Sequence, residues 1–181
     1  MTRVTYVKKA RKDRGTCDQC RLPIVAGQGY AEYAPRYDPT RRRHTDCKNW
    51  NSWDLSNSPS AQFDRITSEV SLPDDFTKDD AEAALNDAAE QIREVAEEQR
   101  EKASNIEEGF GHETYQSEEL NSQADEIENF ADEVESTDID DEPVQGEEDD
   151  VETDEDFTDR MDTWRDDARE AVDSALAETP L

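Results

Sequence analysis

No run of this chain is apolar enough to span a bilayer, and its basic start, Met1–Arg14, leads into no apolar signal core. The expectation is a protein that stays in the cytoplasm where it is made and does not enter a membrane. Cysteine is nearly absent. The three copies fall within one 31-residue stretch, which leaves no disulfide framework of the kind exported domains use. Catalytic signatures are missing too. There is no Gly-Lys-Ser/Thr phosphate loop, no Gly-x-Ser-x-Gly and no His-Glu-x-x-His. Histidine occurs twice, and His112 is too far along the chain to pair with His44 in a histidine–metal nuclease motif. The reading is therefore a protein that is not an enzyme, or at most a subunit whose chemistry lies in another chain.

Basic residues are also scarce, and they are unevenly placed. The formal net charge is -29, from 49 acidic and 20 basic residues. Residues 1–50 carry 12 Lys/Arg against 5 Asp/Glu, whereas no Lys or Arg lies between Lys102 and Arg160. With 38% charged and 32% hydrophobic residues, one reading is disorder. A second is a folded halophilic protein, because the acidic segments keep apolar helical spacing and arginine outnumbers lysine 14 to 6. In molar salt a dense carboxylate surface keeps such a chain hydrated.

What the chain does have is Cys17-x-x-Cys20 and, after 23 intervening residues, His44-x-x-Cys47. Two knuckles joined by a loop can aim four ligands at one tetrahedral ion, and this spacing predicts one structural Zn2+ held by Cys17, Cys20, His44 and Cys47. The alternatives are a redox CxxC, whose thioredoxin-like surroundings are missing, and iron, which a histidine disfavours. Four protein ligands leave no open position for catalysis at the metal. A head of this size has a small core, expected from Leu22, Ile24, Val25, Tyr30, Tyr33 and Trp50, so metal binding would supply much of its folding free energy.

The expected fold class is α+β in several parts. Residues 1–55 form a β-rich zinc-ribbon or zinc-knuckle head, with short strands around Tyr30, Tyr33 and Tyr37 and turns at Gly27, Gly29, Pro35 and Pro39. Residues 56–75, with Pro59 and Pro73, read as a linker. Residues 76–136 read as an antiparallel, coiled-coil-like hairpin. Its first seam is Leu85, Ala88, Ile92, Val95, Gln99, Lys102 and Ile106, and its second Leu120, Ala124, Ile127, Ala131 and Val134. Thr77 with Asp80 predicts the first helix's cap, Gly109 its end and Ser117 the second helix's cap. Residues 137–156 read as an acidic disordered linker, and residues 157–178 as an amphipathic helix. That helix either docks on the hairpin or lays Phe157, Met161 and Trp164 into a partner's groove.

Lys8, Lys9, Arg11, Lys12 and Arg14 precede the first knuckle, and Arg41, Arg42 and Arg43 the second. With Tyr33, Tyr37, Trp50 and Trp53 nearby, they predict a DNA- or RNA-contacting face on the head. The alternative is a protein–protein adaptor acting through residues 76–136 and 157–178, with the zinc purely structural.

Val7-Lys8-Lys9-Ala10-Arg11-Lys12-Asp13, Ile24-x-x-Gly27-x-x-Tyr30, Arg41-Arg42-Arg43-His44-Thr45-Asp46-Cys47, Ala103–Phe110 and Ser117–Leu120 together resemble small uncharacterised phage and haloarchaeal-virus proteins. The resemblance covers roughly residues 5–136. It implies a basic β-rich head followed by a helical hairpin, with zinc reinforcing a head that many members build without metal. It implies no activity.

Overall fold

The computed structural model describes residues 4–34, 39–48, 50–145, 154–177 and 179–180. The fold is α+β, a small antiparallel sheet and several helices, and the chain divides into two units, Met1–Ser56 and Asn57–Leu181.

The first unit holds β1 (Thr5–Val7), β2 (Tyr30–Tyr33), β3 (Arg41–His44) and the short α1 (Ser52–Leu55). The strands are antiparallel in the order β1-β2-β3, with Val7 opposite Tyr30 and Tyr30 opposite His44. Side chains alternate across a strand, so β2 feeds two small cores. Tyr30 packs with Ala10, Cys17 and Ile24, flanked by Val7 and Cys47. Ala31 and Tyr33 pack with Trp50, flanked by Val4 and Leu55. Two residues expected in the core are instead exposed, Leu22 at 62% and Val25 at 42%. The backbone explains this. Arg14 N–H donates to Ile24 O, Ile24 N–H to Gly15 O and Gly27 N–H to Ala10 O, which fixes residues 22–27 against 10–15 with only Ile24 inward.

The second unit is helical: α2 (Pro59–Glu69), α3 (Lys78–Phe110), α4 (Tyr115–Glu135) and α5 (Asp154–Ala177). The segment expected as a linker, 56–75, contains α2. Ser58 accepts from Ala61 N–H as N-cap and Pro59 stands at the first helical position, where a missing N–H costs nothing. Its Phe63 and Ile66 are buried, and the Phe63 ring meets Phe130 edge-on at 6.0 Å. Thr77 and Asp80 form the expected capping box of α3. The helix runs through Gly109 and ends at Gly111, whose φ of 73° is the left-handed geometry of a helix stop. Thr114, not Ser117, caps α4. Ser117 is the reciprocal partner three residues on, and is fully buried.

Along the seam Ala103 is buried and Lys102 exposed, while Gln99 is buried with no hydrogen-bond partner for its Nε2 among the described residues. Arg93 joins Asp132 and Glu135, and Arg100 joins Asp125 and Glu128, so two guanidiniums each clasp two carboxylates of α4 and fix the helix register.

The apolar face of α5 is buried in this chain. Trp164, Ala168, Val172 and Leu176 join the core of α2, α3 and α4, and the Trp164 ring lies 5.5 Å from Phe76. The helix begins at Asp154, with Asp154, Glu155 and Asp156 in the first turn, where the helix dipole favours them. Part of the expected acidic linker is tied down as well. Ile139 is buried, Trp164 Nε1–H donates to Asp140 O at 2.9 Å, and Lys78 pairs with Asp141 at 2.7 Å. Residues 146–153 of that expected linker lie outside the described residues.

The second unit holds only eight Lys/Arg against a large carboxylate excess. Self-repulsion should therefore outweigh the few ion pairs that salt would weaken. Raising salt from ~0.1 to ~1 M shortens the screening length from about 10 to about 3 Å. The thermal midpoint of the helical signal by circular dichroism should then rise by several degrees. A fall would mean that the arginine clasps dominate.

Candidate metal centre

The four predicted ligands meet at one point. Cys17 and Cys20 lie on the loop between β1 and β2, His44 ends β3, and Cys47 follows in a turn closed by its N–H donating to His44 O. All four ligand atoms lie within 4.8 Å of one another. Cys17 Sγ and Cys47 Sγ are 3.7 Å apart, and Cys20 Sγ and His44 Nδ1 3.3 Å. A tetrahedron with zinc–sulfur bonds of about 2.3 Å and zinc–nitrogen bonds of about 2.0 Å has edges of roughly 3.8 and 3.5 Å. The residues present therefore fit one zinc ion, which Nδ1 of His44, beside Cys20 Sγ, would help to hold.

The knuckles are built from local backbone chemistry. Cys17 N–H donates to Leu22 O and Arg21 N–H to Cys17 O, which folds the CxxC back on itself. Arg21 takes a φ of 61°, the left-handed region that a non-glycine residue occupies at a cost of roughly 1–2 kcal/mol. The second knuckle approaches β2 at Gly29. A Cβ there would lie 2.7 Å from Thr45 Oγ1 and 3.2 Å from Lys8 O, so only glycine lets the two strands close.

The electrostatics of the quartet suit a cation. Burial pushes the Cys17 thiol up, but donation from the backbone around Cys20, His44 and Gln19, together with the Cys20 side chain, outweighs it and lowers Cys17 to about 6. Cys47 moves the other way. Burial raises it first, and the neighbouring Cys17 and Cys20 sulfurs take it to about 11. Crowded sulfurs cannot all ionise without a positive charge among them, and a divalent ion supplies one.

The predicted basic face divides into two groups. Arg41 Nη1 donates to Asp54 O, Arg42 pairs with Glu32 at 2.6 Å, and Arg43 pairs with Asp18 and Asp54 while lying 5.0 Å over the Trp50 ring. Arg14 stacks 5.7 Å over the Tyr30 ring. These four arginines fasten the head. Lys8, Lys9, Arg11 and Lys12 are exposed and make no ion pair among the described residues. Of the expected aromatics, Tyr33 and Trp50 are buried, Trp53 is half-buried, and Tyr37 lies outside the described residues. Tyr6, not singled out by the sequence, is 62% exposed on β1. Alternation alone does not mark it, because Tyr6 stands opposite Ala31 and both faces of β2 carry apolar cores.

No helix among the described residues is long and apolar enough to cross a membrane. No protein-family model, curated protein or solved structure matches this chain.

Native mass spectrometry at neutral pH should find one zinc per chain, lost in Cys17→Ser. A protein purified without stoichiometric metal and unable to take it up would overturn the assignment. Gly29→Ala should weaken zinc retention in a chelator competition while leaving the helical circular dichroism unchanged.

Proposed function

We propose that this chain is a non-enzymatic, zinc-finger-like binding protein whose head contacts nucleic acid. The observation that carries the reading is the set of four exposed cations, Lys8, Lys9, Arg11 and Lys12, which make no ion pair among the described residues, whereas the arginines at 14 and 41–43 are engaged within the head. They lie on a segment whose backbone is bonded to residues 24–28, alongside the CxxC knuckle. The metal's role is structural. It holds that segment in one conformation, and its four protein ligands leave no coordination position for chemistry.

A face with four exposed cations reads phosphate more than sequence. The acidic surface suits a cytoplasm of high ionic strength, where phosphate attraction is weak and affinity would rest on stacking at Tyr6 and direct hydrogen bonds.

The test is fluorescence anisotropy of the zinc-loaded chain with labelled single- and double-stranded oligonucleotides across a salt series. Replacing Lys8, Lys9, Arg11 and Lys12 with alanine should lower the slope of log affinity against log salt by about 3 to 4, because each phosphate contact contributes roughly 0.7 to 0.9. Arg41→Ala should lower stability more than it alters that slope. Equal slopes for the wild type and the fourfold variant would sink the proposal.

A further inference from the structure

The end of the α3–α4 hairpin contributes little to the apolar core of its unit. The apolar core shared with α2 and α5 includes α3 as far as Ala96 and α4 from Ala124 onward. From Glu97 to Phe110, α3 continues for 14 residues, about 21 Å, with α4 alongside. Its seam there is made of small or half-buried residues, Ala103 and Ser117 with Ile106 and Leu120.

Two aromatic side chains stand at the tip. Phe110, the last residue of α3, is 67% exposed, and Tyr115, the first of α4, is 77% exposed. Single exposed apolar residues are ordinary on protein surfaces, but these two aromatics flank one short turn, 111–114. The turn does not need them. Gly111 supplies its left-handed residue, and the Thr114–Ser117 box supplies the caps. Phe110 is held in place, with the His112 ring edge-on at 6.4 Å and His112 Nδ1 3.0 Å from Phe110 O.

The charge around the patch selects its occupant. Glu107, Glu108, Glu113, Glu118 and Glu119 surround the two rings in sequence, and no Lys or Arg occurs between Lys102 and Arg160. Phosphate and an anionic membrane surface are repelled by such a tip. The net charge of -29 opposes association of two copies, although the basic head of a second copy also carries cations. The charge-complementary ligand is cationic. Aromatic faces attract ammonium and guanidinium groups, and carboxylates pair with them.

From this combination we infer that the hairpin tip is a docking site for an arginine- or lysine-rich polypeptide segment of another protein. Phe110 and Tyr115 receive the cationic side chains on their ring faces, and the surrounding glutamates pair with the rest. The site is separate from the nucleic-acid reading of the head, so either can fail alone.

The experiment titrates the full-length, zinc-loaded, 15N-labelled chain with a ten-residue peptide alternating arginine and glycine, and with its glutamate–glycine counterpart as control. The arginine peptide should shift amide resonances of residues 106–120 first. The double variant Phe110→Ala/Tyr115→Ala keeps every charge and removes both exposed rings, with the Tyr115 hydroxyl that bonds Glu119, and should bind roughly tenfold more weakly. Undiminished binding by that variant would overturn the inference, as would shifts spread evenly over α3, α4 and α5, because either means unspecific attraction to an acidic surface. Sedimentation of the unliganded protein adds a second arm. Concentration-dependent self-association abolished by the same variant would assign the tip to a second copy instead.

Discussion

Three sulfur atoms and one imidazole nitrogen gathered within 4.8 Å are the constraint on which the head depends. Its two apolar cores are a few side chains each, too small to offset the entropy of ordering some fifty residues. The quartet joins the β1–β2 loop to the end of β3, contacts that lie 24 and 30 residues apart in sequence. An ion there acts as a cross-link as well as a charge. Bound there, it would close the sheet around Tyr30, beside which Arg14 and Arg42 meet their partners.

The helical unit is organised by a different means. Most of its burial comes from alanine and branched aliphatic residues on α3 and α4, covered by α2 on one side and α5 on another. Small residues allow close helix approach but bury little area each, which is why Phe63, Phe76, Phe130 and Trp164 carry so much of the core. Gln99 interrupts this packing with a buried polar group, at the level where the shared core gives way to the two-helix projection.

Legibility in the sequence followed the range of each interaction. The ligand quartet was readable because two short spacings carry its geometry, and the Thr77–Asp80 box because its partners are three residues apart. Helix α2 was hidden by Pro59, a residue that breaks a helix interior but suits its first turn. Gly109 and Gly111 are equally good stops on paper, and the φ of 73° at Gly111 identifies the one used. The ion pairs of Arg42 and Arg43 were not legible, because Glu32, Asp18 and Asp54 reach them only through the fold. Ile139 was obscured among carboxylates, although one apolar side chain and one carbonyl suffice to tie its segment to Trp164.

The arginine clasps have a consequence for how this chain can vary over evolutionary time. In a unit crowded with carboxylates, an acidic residue exchanged for another polar one is replaced by near neighbours of the same kind. Arg93 and Arg100 have no such substitutes, since each bridges two carboxylates on the facing helix. Lysine keeps the charge but lacks the planar fork that engages both at once. Exchanges on the acidic surface should therefore cost little, whereas the pairing of α3 with α4 leans on two arginines.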